Sequence, residues 1–103
     1  MKNPAVYILA NKFDGVLYVG VTSNLAQRVW QHKNGVYEGF TKRYHIHRLV
    51  YHESHPTMLD AIRREKYLKH GTRAYKTELI ESINPYWKDL YPFVIGTDET
   101  DVY

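Results

Sequence analysis

The chain has 103 residues, no cysteine and a formal net charge of +3 at pH 7. This length is typical of one domain with its own hydrophobic core, and the lack of cysteine excludes disulfides and thiolate metal sites. No apolar run approaches the roughly 20 residues of a membrane-spanning helix, so we expect a cytoplasmic protein without a membrane partner.

The charge is unevenly distributed. One lysine and four acidic residues follow Asn84, which leaves residues 1–84 with a net charge of +6. A basic body favours a polyanionic partner, although charge alone indicates this only weakly. We expect one domain over residues 1–91 and an acidic C-terminal tail over residues 92–103.

Residues 5–11 and 16–21 are predicted to form two strands, joined at Asp14-Gly15, a dipeptide that favours a hairpin turn. Successive side chains of a strand point to opposite faces. One face of this hairpin is then wholly apolar and is expected to face the core. The other, less apolar face carries Tyr7 and Tyr18.

A helix is predicted after the hairpin, because Asn24 and Gln27 resemble a capping box and Gly35 provides a stop. Arg28 and His32 are four residues apart, so they lie one turn apart on a flank of the helix's apolar stripe. That stripe consists of Leu25, Ala26, Val29 and Trp30.

The middle of the chain predicts a loop, a strand and two helices. The loop over residues 36–44 mixes aromatic and basic side chains, which suits contact with a nucleic-acid backbone but also an ordinary surface loop. A third strand is predicted over 46–53, and helices over 58–70 and 74–83. The last helix is expected to end at Asn84 because a proline follows.

The helix over residues 58–70 contains an anomaly. With about 100° per residue, Glu65 falls near the centre of its apolar stripe. A carboxylate directed at a core is costly unless it is paired or bound to a metal. We therefore expect Glu65 at the edge of a cleft, with a partner. The stripe itself consists of Met58, Ala61, Ile62 and Leu68.

Together these residues resemble the GIY-YIG nucleases, in particular the small stand-alone bacterial members. Ala5-Val6-Tyr7 stands at the family's first motif, with Ala5 in place of its glycine, and Tyr18-Val19-Gly20 matches the second. The resemblance spans residues 6–91. Single positions of the family are matched, in the same order, by Arg28, His32, Glu65 and Asn84.

The resemblance implies an α+β fold, a small three-stranded antiparallel sheet flanked by helices, and a site for catalysis. In that site Glu65 would bind a divalent metal ion, Mg²⁺ or Mn²⁺, and Arg28 would hold a phosphate. Tyr7 would activate water or act as the base, while Tyr18 and His32 position the phosphate or relay protons. The identity of the base stays open. Asn84 would order the site through hydrogen bonds.

Further residues are expected to contact the nucleic acid. Gly20 would leave room for a backbone to approach, and the other members of this set are basic or lie in the loop after the first helix. The set consists of Gly20, Lys33, Thr41, Lys42 and Arg43.

The function expected from this resemblance is a metal-dependent endonuclease that hydrolyses DNA, as in DNA repair or recombination. The chain has no room for a separate targeting domain, so we expect low sequence specificity, structure specificity or a protein partner for targeting. No small-molecule cofactor is expected, and the oligomeric state stays open. The alternatives are a nucleic-acid-binding module with little or no activity and, more weakly, a sheet-based RNA binder, for which no RNP1 pattern is present.

Each candidate also has a structural interpretation. Tyr7 and Tyr18 taken alone are ordinary strand residues, Arg28 alone is a solvated helix arginine, and Asn84 alone is a helix end. Glu65 could instead belong to a buried salt bridge with an arginine. The ordered match to the family favours the nuclease over these interpretations, except at Asn84.

Overall fold

The sheet is antiparallel, in the strand order β2-β1-β3. The computed structural model describes residues 3–37 and 39–95. Within these residues the strands are β1 Ala5–Ala10, β2 Leu17–Thr22 and β3 Arg48–Ser54. The helices of the same part of the chain are α1 Leu25–Lys33, α2 Phe40–Arg43, α3 Met58–Lys69, α4 Arg73–Ile83 and α5 Tyr91–Val94. The predicted α+β fold is confirmed, and no described helix has the length and apolar character to cross a membrane.

The β1–β2 register places the two tyrosines as predicted. Val6 pairs with Val21, and Tyr7 pairs with Gly20. Tyr18 pairs with Leu9, which lies two residues after Tyr7 and therefore on the same face of β1. Directly paired residues share a face of the sheet. Both tyrosines therefore project from the face opposite to the one that carries Val6.

The expectation that only the aliphatic face is a core face is wrong. Every residue of β1 is buried, because β1 is the central strand and helices cover both sides of the sheet. Ala61 of α3 and Ile80 of α4 pack on the Val6 face. Val29 of α1 packs with Tyr7 in a second core on the other face.

Helix α1 begins as predicted but buries a different stripe. The Asn24 Oδ1 accepts a hydrogen bond from the Gln27 backbone N–H, at 3.1 Å. Trp30, which was expected in the apolar stripe, is 49% exposed, whereas His32 is only 3% exposed. Hydrophobicity alone predicts the wrong buried stripe, because hydrogen bonds to polar groups in the interior make burial of the His32 imidazole favourable.

The C-terminal part of the fold extends beyond the predicted domain end. Helix α5 spans the predicted boundary between residues 91 and 92, and its Tyr91 and Val94 pack against the second core. The acidic residues of the predicted tail, Asp98, Glu99 and Asp101, lie outside the described residues.

Asn84 joins the end of α4 to β3. Its Nδ2 donates to the carbonyls of Val50, at 3.0 Å, and Lys88, at 2.8 Å. Its Oδ1 accepts from the Lys88 N–H, at 2.9 Å. The side chain is buried. It supplies hydrogen-bond partners for three backbone groups that would otherwise need a water molecule as their partner.

We expect Asn84→Ala to lower the free energy of unfolding by about 2–4 kcal/mol, because buried backbone groups lose their partners. Urea unfolding followed by circular dichroism measures this. Asn34→Ala is the matched control, since its Nδ2 makes one exposed hydrogen bond, to Trp30. If the activity that the family resemblance implies were lost at unchanged stability, this result would contradict the structural role and favour a catalytic one.

Candidate active site

Four of the predicted residues form one cluster on the second core face. Tyr7 and Tyr18 come from adjacent strands, and α1 crosses them with Arg28 and His32. The ring centroid of His32 lies 5.8 Å from that of Tyr7 and 5.6 Å from that of Tyr18. The two tyrosine rings are 6.4 Å apart. The convergence follows from the hairpin register and from the placement of α1 directly after β2.

A hydrogen-bonded chain runs through the centre of this cluster. The Tyr7 hydroxyl lies 3.1 Å from the His32 Nε2, and the His32 Nδ1 lies 2.8 Å from the Thr41 Oγ1. Thr41 was predicted as a surface contact for nucleic acid, but it is only 3% exposed. Its hydroxyl instead positions the imidazole. Sequence reasoning missed this role because no local pattern links α2 to α1.

The protonation states along the chain follow from burial. Burial lowers the pKa of His32 to about 4, and the positive charge of Arg28 acts in the same direction. Burial also raises the pKa of the Tyr7 hydroxyl well above its ordinary value, against the opposing effect of Arg28. At neutral pH the cluster therefore holds a neutral imidazole next to a protonated phenol.

Arg28 adds a positive charge beside these neutral groups. Its guanidinium lies 4.8 Å from the centre of the Tyr37 ring, and its Nη1 lies 3.5 Å from the Tyr37 hydroxyl. The Tyr37 ring also contacts the His32 ring edge-on, at 4.6 Å. Among the described residues no carboxylate forms an ion pair with Arg28. A half-buried cation without a carboxylate partner suits an anionic ligand.

Glu65 reaches the cluster from the other side of the sheet, around the β2 edge. It is 8% exposed, and its Oε2 accepts from the Lys69 Nζ at 2.7 Å. The same ammonium lies 5.9 Å from the centre of the Tyr18 ring. The predicted partner is therefore present, but it is a lysine one turn along α3 rather than an arginine. The spacing of four residues was a signal that sequence reasoning left unused.

The donor set at Glu65 suits a hard, largely hydrated cation. Mg²⁺ in proteins is bound by one or two carboxylates and retains several waters. Within residues 3–37 and 39–95 no group of three or more histidine, cysteine, aspartate or glutamate side chains could hold a metal. One carboxylate paired with a half-exposed lysine fits a cation that keeps its waters, because that lysine has room to turn away.

The cluster is more closed than the cleft expected from the sequence. Tyr7 has no exposed surface and His32 is almost fully buried, whereas Tyr18 and Arg28 are half-buried. The side chains pack against one another instead of surrounding an open space. Access to Tyr7 therefore requires its neighbours to move.

The remaining predicted residues lie in different surroundings. Asn84 bonds to backbone groups of β3 and of the loop after α4, and none of its described contacts is to the cluster. Lys33 pairs with Asp89 and lies 5.3 Å from the centre of the Tyr91 ring. Lys42 and Arg43 lie exposed on α2.

Gly20 has a packing role in the structure, and its expected contact with nucleic acid stays a prediction. It lies directly opposite Tyr7 in the sheet, and a Cβ at this position would overlap the Tyr7 ring. A glycine is therefore required here for the tyrosine to lie across the strand pair.

Residues 3–78 match the family model described as the GIY-YIG catalytic domain. The chain belongs to the GIY-YIG nuclease family. The match covers the three strands, α1, α2, α3 and the first half of α4, which contain the tyrosine cluster and Glu65. Asn84 lies beyond the matched residues.

Similar chains are found among bacterial proteins named UPF0213. A UPF0213 protein from Clostridium perfringens is 42% identical over 77 residues, which cover 75% of this chain and 82% of the relative. A UPF0213 protein from Staphylococcus aureus is 38% identical over 82 residues, which cover 79% of this chain and 98% of that protein. The solution NMR structure of a UPF0213 protein from Bacillus halodurans has a TM-score of 0.53 and 29% identity, covering 87% of this chain and 95% of that one.

We expect Gly20→Ala to lower the free energy of unfolding by about 1–3 kcal/mol, because the added methyl forces the buried Tyr7 ring to shift. Denaturant unfolding measures the loss. Gly71→Ala is the control, since its Cβ would approach its nearest neighbours only to 3.4 Å. Equal effects of the two substitutions would contradict the packing role of Gly20.

We expect stability to fall between pH 6.5 and about 4 through His32, whose lowered pKa keeps it neutral when folded while the unfolded chain takes up a proton. The full effect is about 3 kcal/mol, present above pH 6.5 and lost as the pH falls towards 4. Unfolding measured across this range should show a smaller pH dependence in His32→Gln than in the parent chain. An unchanged pH profile in His32→Gln would show that other groups cause the loss.

Proposed function

We propose that this chain is an endonuclease that hydrolyses DNA phosphodiester bonds with the help of a divalent cation. The observation that carries the proposal is the packing of Tyr7, Tyr18, Arg28 and His32 into one cluster. Glu65 lies at its border through Lys69. Membership of the GIY-YIG family and the basic character of residues 1–84 support DNA as the substrate.

Arg28 would bind the scissile phosphate. Its planar guanidinium can donate two parallel hydrogen bonds to phosphate oxygens. In the described structure it contacts the neutral Tyr37 hydroxyl, a weaker partner than a phosphate. A phosphate would therefore displace Tyr37, and this exchange would open the way to the buried Tyr7.

Tyr7 and His32 would then move the proton of the attacking water. The raised pKa of Tyr7 makes a free phenolate unavailable at neutral pH. The neutral imidazole can instead take the phenolic proton at Nε2 while the phenol oxygen takes a proton from water. This needs the tautomer in which the His32 Nδ1–H donates to Thr41, an arrangement that the 2.8 Å separation accommodates.

Glu65 would hold the divalent cation, Mg²⁺ or Mn²⁺. When bound, such an ion neutralises charge on the phosphate and on the leaving oxygen. Lys69 would have to give up its ion pair with Glu65 for the cation to bind there. The half-buried Tyr18, next to this ammonium, would help to orient the phosphate that Arg28 binds.

The substrate would be chosen by DNA structure or with low sequence specificity. Within the described residues the folded part of the chain consists of the sheet and its covering helices. Base-specific recognition commonly uses a helix or ribbon placed in the major groove. The short basic helix α2, with Lys42 and Arg43 exposed, is better suited to backbone contact.

We expect the purified chain to nick branched or linear DNA with Mg²⁺ or Mn²⁺ and to be inactive in EDTA. Tyr7→Phe, Arg28→Ala and Glu65→Gln should each reduce the rate at least about 100-fold, because each removes a group that acts in the transition state. Gel assays under single-turnover conditions measure the rates.

The controls keep the fold and change residues outside the cluster. Tyr86→Phe and Glu78→Gln alter exposed side chains and should retain full activity. Circular dichroism should show folded protein for every variant. A wild-type chain that binds DNA but cuts no substrate with either ion would overturn the proposal in favour of a binding module.

A further inference from the structure

A groove lies on the outer face of α3, away from the sheet, where the second half of that helix meets the start of α4. Its volume of about 650 Å³ is within the range of pockets that hold organic ligands. The lining includes Arg63, Lys66, Tyr67, His70, Thr72 and Tyr75. None of these residues belongs to the tyrosine cluster or was assigned a role by sequence reasoning.

The groove is cationic. Arg63 and Lys66 are exposed and His70 adds a third basic side chain, whereas no acidic residue is among the lining residues. A negatively charged ligand is therefore complementary to it.

Tyr67 forms an aromatic platform in the groove. It is 62% exposed, so much of the ring is open to solvent. Its edge contacts Tyr75, with ring centroids 6.1 Å apart and an interplanar angle of 88°. The Arg64 guanidinium lies 5.7 Å from the centre of the Tyr67 ring and 5.9 Å from that of Tyr75. These contacts hold the ring in place while it remains open to solvent.

Hydrogen bonds hold Arg64 in place, so the Tyr67 ring that it supports is preorganised for a ligand. Its Nε donates to the Glu53 Oε2 at 2.8 Å, and its Nη1 lies 3.4 Å from the Tyr75 hydroxyl. The Glu53 carboxylate compensates the positive charge of Arg64, so the role of this arginine is to support the two rings. The positive charges that a ligand would meet in the groove are those of the lining residues. A ring held in advance loses less entropy when a ligand stacks on it.

The groove adjoins the candidate active site along α3. Lys66 lines the groove and Lys69 pairs with Glu65, and residues three apart are neighbours on a helix surface. A bound DNA strand whose backbone runs from the candidate active site past Lys69 would contact Lys66 next and then Tyr67. Exposed cations next to an open aromatic ring are the features that bind single-stranded nucleic acid, through backbone charge and base stacking.

We propose that this groove binds an unpaired DNA strand, with one base stacked on Tyr67 and the adjoining phosphates contacted by Lys66 and Arg63. The inference rests on the proposed function, because it assigns the groove to the same DNA substrate. It specifies the substrate class as DNA with a single-stranded arm next to the cleavage point.

The test measures binding in EDTA, so that no cleavage is required. A fluorescent oligothymidylate of about 12 nucleotides is titrated with protein and followed by anisotropy. Tyr67→Ala should weaken binding about tenfold, in the range for loss of one stacked base, and Tyr67→Phe should bind like the parent chain. Tyr86→Ala is the matched control, since that tyrosine is 74% exposed and lies outside the groove.

The charge contribution is tested separately. Lys66→Ala should reduce the slope of log affinity against log salt by about 0.7, the value for one phosphate contact on a single strand. Lys12→Ala, at another exposed lysine, should leave the slope unchanged. Affinity for a blunt duplex should be the same in Tyr67→Ala and the parent chain, because paired bases cannot stack on the ring.

Two results would overturn the proposal. One is single-strand affinity that is equal in the parent chain, Tyr67→Ala and Lys66→Ala, which would leave the groove to a protein partner. The other is an equal loss of duplex binding in Tyr67→Ala. Arg28→Ala separates this inference from the proposed function, since it should abolish cleavage and keep Tyr67-dependent binding. A parent chain that never cuts DNA but shows that binding would overturn the endonuclease alone.

Discussion

The buried hydrogen bond between Tyr7 and His32 is the interaction on which the rest of the site depends. It joins the central strand β1 to α1, and Thr41 extends it to α2, so three elements distant in sequence are held by one polar chain. Inside a low-dielectric core such bonds are strong when every member is satisfied and costly when one is lost. Gly20 makes the arrangement possible, because only a residue without a side chain leaves space for the Tyr7 ring.

Around this neutral centre the charged groups are arranged at the border. Arg28 lies over Tyr37 on one side, and the Glu65–Lys69 pair lies beside Tyr18 on the other. Burial keeps the imidazole uncharged and the phenol protonated, so the centre of the cluster carries no charge of its own. The closed packing means that ligand binding and opening of the cluster would be one coupled event, for which the half-buried residues are the first to move.

The outer face of α3 extends the cationic surface beyond this cluster. Lys69 pairs with Glu65, and Lys66, three residues earlier on the same helix, lines the groove together with Tyr67. One helix therefore contributes a buried carboxylate to the inner side and an exposed aromatic ring to the outer side. This arrangement follows from the helical period, since residues two apart in sequence project in roughly opposite directions.

Much of the architecture was determined by the sequence alone. The period of two in the hairpin, the cap at Asn24 and the stop at Gly35 are local signals, and the structure follows them. The order of Tyr7, Tyr18, Arg28, His32 and Glu65 was sufficient to indicate the family. Tertiary structure alone decided the second core, the burial of His32, the pairing of Thr41 with it and the place of Asn84 outside the cluster. These features depend on contacts between residues distant in the chain, where the cost of burying a polar group is set by its partner rather than by its neighbours in sequence.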